Sequence, residues 1–207
     1  MTKIQLKPED IRFEKLTGEN SHKIATFSSS VSKELDAFLK EKALREHSIN
    51  FSKTYLFFHG DVLAGYVTLL TDKQSLKIEK GNPFLVQFKD KTEEPYMSVP
   101  ALKIGRMCVS DNYNSQLETS EYHGLGRLMF ASVLNNASEL KNTVGCRVIT
   151  THAKKNTGAY KWYLKMGFCF SHNDEKTKDL LAKEDVEAIP MFYDINRTVG
   201  NDPKAYK

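Results

Sequence analysis

A chain of 207 residues, 40% hydrophobic and 11% aromatic, can bury a sizeable core and is read as a single folded domain spanning 1–207, not a disordered segment. Its formal charge of +4 permits a polyanionic partner without requiring one. The opening MTKIQLKPEDIRFEKL alternates charge with single apolar residues, unlike a leader peptide, and no apolar run nears the ~20 residues of a membrane span. A cytoplasmic protein without a membrane partner is expected, its three cysteines, Cys108, Cys146 and Cys169, being reduced core thiols.

In chain order, Ile11 to Leu16 is a first strand, and serine-rich Ser28 to Ser32 leads into a helix over Lys33 to Glu46. Leu35, Phe38, Leu39 and Ala43 share one face of that helix, and Ser32 is placed to cap it. Thr54 to Phe58 and Val62 to Leu70 are β-rich runs joined through His59-Gly60-Asp61, the signature of a hairpin. Thr71 to Pro100 is polar and broken by Gly81, Pro83, Pro95 and Pro100, with one short β-prone run at Phe84 to Phe88. So long an irregular excursion marks a candidate binding region. Ala101 to Val109 reads as a buried strand, followed by Ser110-Asp111-Asn112 and a polar loop, Tyr113 to Ser120.

The strongest pattern lies in Ser120 to Leu140. After Gly124-Leu125-Gly126, the residues Leu125, Leu128, Met129, Val133, Ala137 and Leu140 recur at the steps of one buried helical face. Cys146 to His152 is strongly β-prone, and Asn156 to Met166 is a short helix stopped by Gly167. Phe168 to Phe170 begins another strand, Lys176 to Glu187 is a polar helix, and Ile189 to Ile195 is the last strand, with a frayed tail after 196. The fold class is α/β in the α+β sense: a mixed sheet with helices packed on it.

Glycines at a helix start leave backbone N–H groups unshielded, and with the helix dipole and Arg127 they form an anion site suited to a phosphate-bearing cofactor. A P-loop needs Lys and Ser/Thr after Gly126, where Arg127-Leu128 stand; a dinucleotide fingerprint needs a third glycine where Met129 stands. A helix that simply begins with two glycines is the alternative. By periodicity alone Tyr163 belongs to a core, Trp162 to packing, and Asn156 to a helix N-cap. The six histidines lack metal-ligand spacing, so no metal site is expected.

Glu121-Tyr122-His123-Gly124-Leu125-Gly126 and, downstream, Ala159 through Phe168 resemble in order and spacing two motifs of the GNAT family of N-acetyltransferases. These are Gln/Arg-x-x-Gly-x-Gly/Ala at a helix start and Ala-x-x-x-Tyr-x-x-x-Gly-Phe. The resemblance covers most of the chain. It implies a GNAT-like acyl-CoA N-acyltransferase fold, with a mostly antiparallel central sheet flanked by helices. It also implies acetyl-CoA as cofactor and direct acetyl transfer to a primary amine. On this resemblance Met107, Cys108 and Val109 offer backbone groups to the thioester end of the coenzyme. Gly124, Leu125, Gly126 and Arg127 take its pyrophosphate, Asn156 reaches toward the pantetheine, and Tyr163 protonates the departing thiolate. Glu121 departs from the motif: a carboxylate facing a pyrophosphate would repel it, so Glu121 turns away or the loop is shifted in register.

Glu34 to Leu39, Tyr55, Ala64 to Leu69 and Val99 to Arg106 further resemble the branch that includes bacterial toxins acetylating aminoacyl-tRNA. The leading acceptor is therefore the amino group of charged tRNA. A small-molecule or protein amine is the alternative, and a non-catalytic acyl-CoA-binding module the alternative from another class. A homodimer is a candidate assembly. An α-amine titrates near ~7.7 against ~10.4 for lysine, so the leading acceptor needs no strong base. Glu118, Asp111 and Glu121 are base candidates, each also readable as a solvated loop carboxylate. Arg106 reads as a phosphate contact or a local ion pair, and Cys108 as a nucleophile lacks a histidine to activate it. Lys73, Lys77, Lys80, Lys89 and Lys91 form a basic rim or, interrupted by Asp90, Glu93 and Glu94, a solvated face.

Overall fold

The computed structural model describes residues 2–75, 98–172 and 174–196. Its elements are β1 (Ile4–Gln5), β2 (Ile11–Lys15), α1 (Lys33–Glu41), α2 (Ala43–Ser48), β3 (Lys53–His59), β4 (Val62–Ser75) and β5 (Ser98–Val109). There follow β6 (Tyr122–His123), α3 (Leu125–Thr143), β7 (Val148–Lys154), α4 (Ala159–Lys165), β8 (Cys169–Phe170), α5 (Asp174–Ala182) and β9 (Ala188–Asp194). They form two compact units, Met1–Leu70 with Ile104–Asn135, and Thr71–Lys103 with Asn136–Lys207. The long strands β4 and β5 run through both.

In the first unit the strand order is β2-β3-β4-β5. β2 and β3 are antiparallel from Ile11↔His59 to Lys15↔Tyr55, and β3 and β4 from Lys53↔Leu69 to His59↔Val62. His59 and Val62 pair, so the hairpin turn is only Gly60-Asp61, with Gly60 at φ 58. The register shifts at Phe57/Phe58, and there the Ala64 carbonyl accepts the Ser110 N–H at 2.8 Å. One core cluster gathers Leu39, Leu56 and Phe58 around the fully buried Tyr66. The Tyr66 ring meets Phe27 edge-on at 5.6 Å, and its hydroxyl donates to the Leu35 carbonyl at 2.7 Å. This satisfies the one polar atom that burial would otherwise penalise.

A Cβ added at Gly65 would lie 2.8 Å from Met129 Sδ, 3.0 Å from the Cys108 carbonyl oxygen and 3.2 Å from Leu125 Cδ2. Glycine is thus what lets the first turns of α3 settle onto β4 and β5. The helix expected over Lys33 to Glu46 is instead two, broken at Lys42 (φ −122, ψ −30), with Ala43 wholly buried beyond the break. Ser32 stands at the N-cap without capping through its side chain; its carbonyl accepts the Leu35 and Asp36 N–H groups at 2.9 and 3.1 Å.

In the second unit the order is β5-β7-β9-β8. β7 and β9 are antiparallel from Val148↔Asp194 to Lys154↔Ala188, and β8 joins β9 at Cys169↔Phe192. Val99, Ala101, Val148 and Phe192 form its buried cluster. β4 continues to Ser75 and β5 begins at Ser98, so both ends of the expected excursion are strand. The Phe84 to Phe88 run, Lys77, Lys80, Lys89, Lys91 and the tail after 196 lie outside the described residues. α5 starts and stops earlier than expected, with Asp174 and Glu175 in the first turn, where acids suit the helix dipole.

The second unit also holds a buried ion pair. Arg147 Nη2 lies 2.9 Å from Asp194 Oδ2, its Nη1 binds Oδ1, and that oxygen accepts the Asn196 N–H at 2.8 Å. Asp194 is only 7% exposed, so removing it strands a guanidinium. Asp194→Ala should cost about 3 kcal/mol, or roughly 6–12 °C in Tm, read by thermal unfolding. An unchanged Tm would show the pair to be energetically idle.

Candidate active site

The first unit positions most of the residues expected to hold a coenzyme. Met107 and Val109 are half-buried on β5, and Cys108 between them is buried. Gly124 sits at φ 96, the left-handed region that favours glycine, and turns the chain from β6 into α3. The Arg127 and Leu128 N–H groups fold back onto the Gly124 carbonyl at 3.0 and 3.3 Å. Helix geometry leaves the N–H groups of Leu125 and Gly126 without an intrahelical acceptor. The Leu125 side chain is fully buried beneath them, and Arg127 is exposed.

The sequence reading missed what holds this turn. β1 pairs in parallel with β6: the Ile4 N–H donates to Glu121 O at 2.8 Å and the Leu6 N–H to His123 O at 3.0 Å. The Gln5 side-chain nitrogen lies 2.7 Å from where a Cβ on Gly124 would stand. Lys3 Nζ donates to the Ser115 and Leu117 carbonyls at 2.9 and 2.5 Å, and the Glu121 N–H to Asn112 Oδ1 at 3.1 Å. The backbone of Glu121 is held from both sides, and its side chain is exposed. A second unforeseen group adjoins: Tyr113 stacks on Tyr122 at 5.0 Å, and His59 Nδ1 lies 3.1 Å from the Tyr113 hydroxyl. No local pattern could have joined positions 59, 113 and 122.

Several open readings resolve here. Arg106 lies 3.6 Å from Glu46 and 3.6 Å above the Phe38 ring, a local pairing. Asp111 accepts the Ser30 N–H at 2.8 Å and the Ser30 hydroxyl at 2.9 Å, so it staples a loop. Glu118 is exposed, as Glu121 is. Burial pushes the Cys108 thiol up to about 11, which removes the thiolate that a nucleophile needs at neutral pH. All three cysteines are free thiols.

In the second unit Tyr163 is 6% exposed on α4, met edge-on by Trp162 at 5.0 Å and Phe168 at 4.9 Å. Burial pushes its phenol up to about 12, opposed by a hydrogen bond with the Thr151 side chain. The phenol is therefore protonated at neutral pH. Asn156 is exposed in the turn after β7; the N-cap of α4 is Gly158 at φ 68, so the capping role expected of Asn156 falls to a glycine. Among the described residues no group of three or more His, Cys, Asp or Glu could hold a metal ion, and no helix is long and apolar enough to cross a membrane.

The raised groups carry a pH signature. Cys108 moves from 9.0 to about 11 and Tyr163 from 10.0 to about 12, so the native chain keeps protons that the unfolded chain releases. Their contribution to stability is full below the unfolded values and is lost as pH rises through the folded ones. Equilibrium urea unfolding should show a falling midpoint from pH 9 to 12, the window those two shifts define. A midpoint that holds steady across it would contradict the burial of both groups.

Helices on a mixed, mostly antiparallel sheet, with a left-handed glycine opening α3 after β6, match the GNAT acyltransferase fold. Solved structures with this architecture include a tyrosine-to-phenylalanine mutant of KacT, 22% identical, with 90% of this chain and 95% of that one covered and a TM-score of 0.67. AtaT complexed with acetyl-methionyl-tRNAfMet matches at 19% identity over 89% of this chain and 95% of that one, TM-score 0.65. AtaTR bound with AcCoA matches at 19% identity over 90% and 95%, TM-score 0.64. No protein-family model and no curated protein matches the sequence.

Proposed function

We propose that the chain is an acetyl-CoA-dependent N-acetyltransferase of the cytoplasm, and that its leading acceptor is the amino group of aminoacyl-tRNA. The observation that carries the reading is Tyr163, which stands at the family's acid position as a buried phenol kept neutral at pH 7 and oriented by Thr151. The AtaT complexes with AcCoA and with acetyl-methionyl-tRNAfMet support the choice of cofactor and acceptor.

The residues present fit the coenzyme. The helix start offers the Leu125 and Gly126 N–H groups to a pyrophosphate, with Arg127 next in sequence and the Glu121 side chain exposed. When bound, the coenzyme supplies an activated acetyl group as a thioester. In this reading the backbone of Met107, Cys108 and Val109 orients the thioester carbonyl, and Asn156 approaches the pantetheine. The Tyr163 hydroxyl would hold the proton for the departing thiolate sulfur, and the amine, which loses a proton on becoming an amide, would restore it. No strong base is required for an α-amine, whose pKa of ~7.7 leaves a sizeable neutral fraction near neutral pH, in keeping with the loop role of Asp111 and the exposure of Glu118 and Glu121.

The test is incubation with labelled acetyl-CoA and a mixed pool of charged tRNA, lysine-rich peptides and polyamines. Label in the charged-tRNA fraction is expected. Label confined to peptides or polyamines would move the acceptor to a protein or small-molecule amine. Coenzyme binding with no label transferred would replace the enzyme by an acyl-CoA-binding module.

A further inference from the structure

The second unit contains a cavity of about 420 Å³, of whose lining the roles above use only Thr151. Five separate stretches of chain line it: the end of β4, Lys103 on β5, Thr150 to His152 on β7, Ser171 with His172 and Lys176, and Pro190 with Met191 on β9. Lys73, Lys103 and Lys176 face it with His152 and His172, against one carboxylate, Asp72. That leaves three lysines minus one aspartate, a surplus of two positive charges before either histidine is protonated. Asp72 is itself engaged: its Oδ2 accepts the Thr150 hydroxyl at 2.7 Å and lies 3.7 Å from Lys103 Nζ. Thr150 and Thr151 are 6% and 4% exposed, so the floor is fixed strand. Ser171 donates to Gln74 at 3.3 Å on the same wall.

The volume falls within the ~300–1,000 Å³ typical of small-ligand sites, and the lining mixes apolar surface, including Pro190 and Met191, with a cationic set of side chains. Lysine ammoniums are point charges suited to phosphate oxygens. The hydroxyls of Thr150 and Ser171, the Gln74 amide and the Asp72 carboxylate can pair with sugar hydroxyls. We propose that this cavity binds a phosphorylated ribose, presented either by a free nucleotide or by the end of an RNA strand. Thr151, which lines the cavity, also hydrogen-bonds the Tyr163 phenol, so a ligand seated there lies one residue from the proposed acid. The inference rests on the acetyltransferase reading only for the choice of RNA as the macromolecular source.

The experiment is a titration of the full chain, without acetyl-CoA, by inorganic phosphate, adenosine 5′-monophosphate, a short single-stranded RNA and an acidic peptide. The readout is the imidazole NMR signals of His152 and His172, in wild type, Lys103→Gln and Lys176→Gln. The nucleotide or the RNA should shift both signals, with binding weakened about tenfold in each variant. RNA binding tighter than the mononucleotide, with a steep salt dependence, assigns the site to a nucleic-acid end; equal binding assigns it to a free nucleotide. Shifts produced only by the acidic peptide, or by nothing, or unchanged in both variants, overturn the proposal. Turnover is not measured, so an inactive chain that binds nucleotide and an active chain that does not are separate results.

Discussion

Tyr163→Phe is expected to lower acetyl transfer by about 10²–10⁴-fold while leaving coenzyme affinity within about twofold. The expectation rests on what the substitution spares. A phenylalanine fills the same volume between Trp162 and Phe168, whose rings meet Tyr163 edge-on, so α4 should keep its seat. What is lost is one hydroxyl, which as the proposed proton donor would be worth roughly 3–5 kcal/mol in the transition state. Thr151 loses a hydrogen-bond partner, a stability cost of about 1 kcal/mol that unfolding would detect independently. Activity should not vanish, because holding two substrates in line can supply ~7–11 kcal/mol without any acid. Single-turnover rates at saturating coenzyme separate these contributions. A wild-type rate in the variant would remove Tyr163 from the chemistry.

Gly124→Ala should weaken coenzyme binding roughly 5–150-fold, the equivalent of about 1–3 kcal/mol of backbone strain. An alanine at φ 96 is strained whatever space surrounds it, and its Cβ would also meet the Gln5 amide at 2.7 Å. The chain can relieve both only by moving the turn that aims the Leu125 and Gly126 N–H groups. Gly18→Ala is the matched control, because a Cβ there meets nothing within 4 Å. Calorimetric titration with acetyl-CoA reads the difference. Equal affinities in Gly124→Ala and wild type would show that the coenzyme does not use this turn.

Legibility in the sequence followed the range of the interactions involved. The face built from Leu125, Met129, Val133 and Ala137 was readable because helical period and burial agree, and all four are wholly buried. The β3–β4 hairpin was readable because glycine and two β-rich runs lie within a few residues of one another. The break at Lys42 was not: neither glycine nor proline marks it, and burial of Ala43 decides it. Asn156 was misjudged as a cap because the local preference for asparagine is real, yet Gly158 adopts the left-handed conformation nearer the helix. The β1–β6 pair was invisible, since a two-residue strand has no period. The glycine turn was readable from its own residues, and the role proposed for Tyr163 came through resemblance to a family; the cationic cavity, assembled from side chains more than a hundred positions apart, had no such guide.

The pairing of β1 with β6 bears on the order in which the chain assembles. Lys3 reaches Ser115 and Leu117 across 112 and 114 positions of sequence. Closing so long a loop costs entropy before any contact repays it, so such pairings form late and open first. α3 can nucleate on its own periodic face, whereas the glycine turn ahead of it acquires its final shape only when Ile4 and Leu6 have docked on Glu121 and His123. The amides of those two residues should therefore exchange with solvent faster than those in the middle of α3. A bound coenzyme would slow that exchange by drawing its binding free energy from the closed form alone.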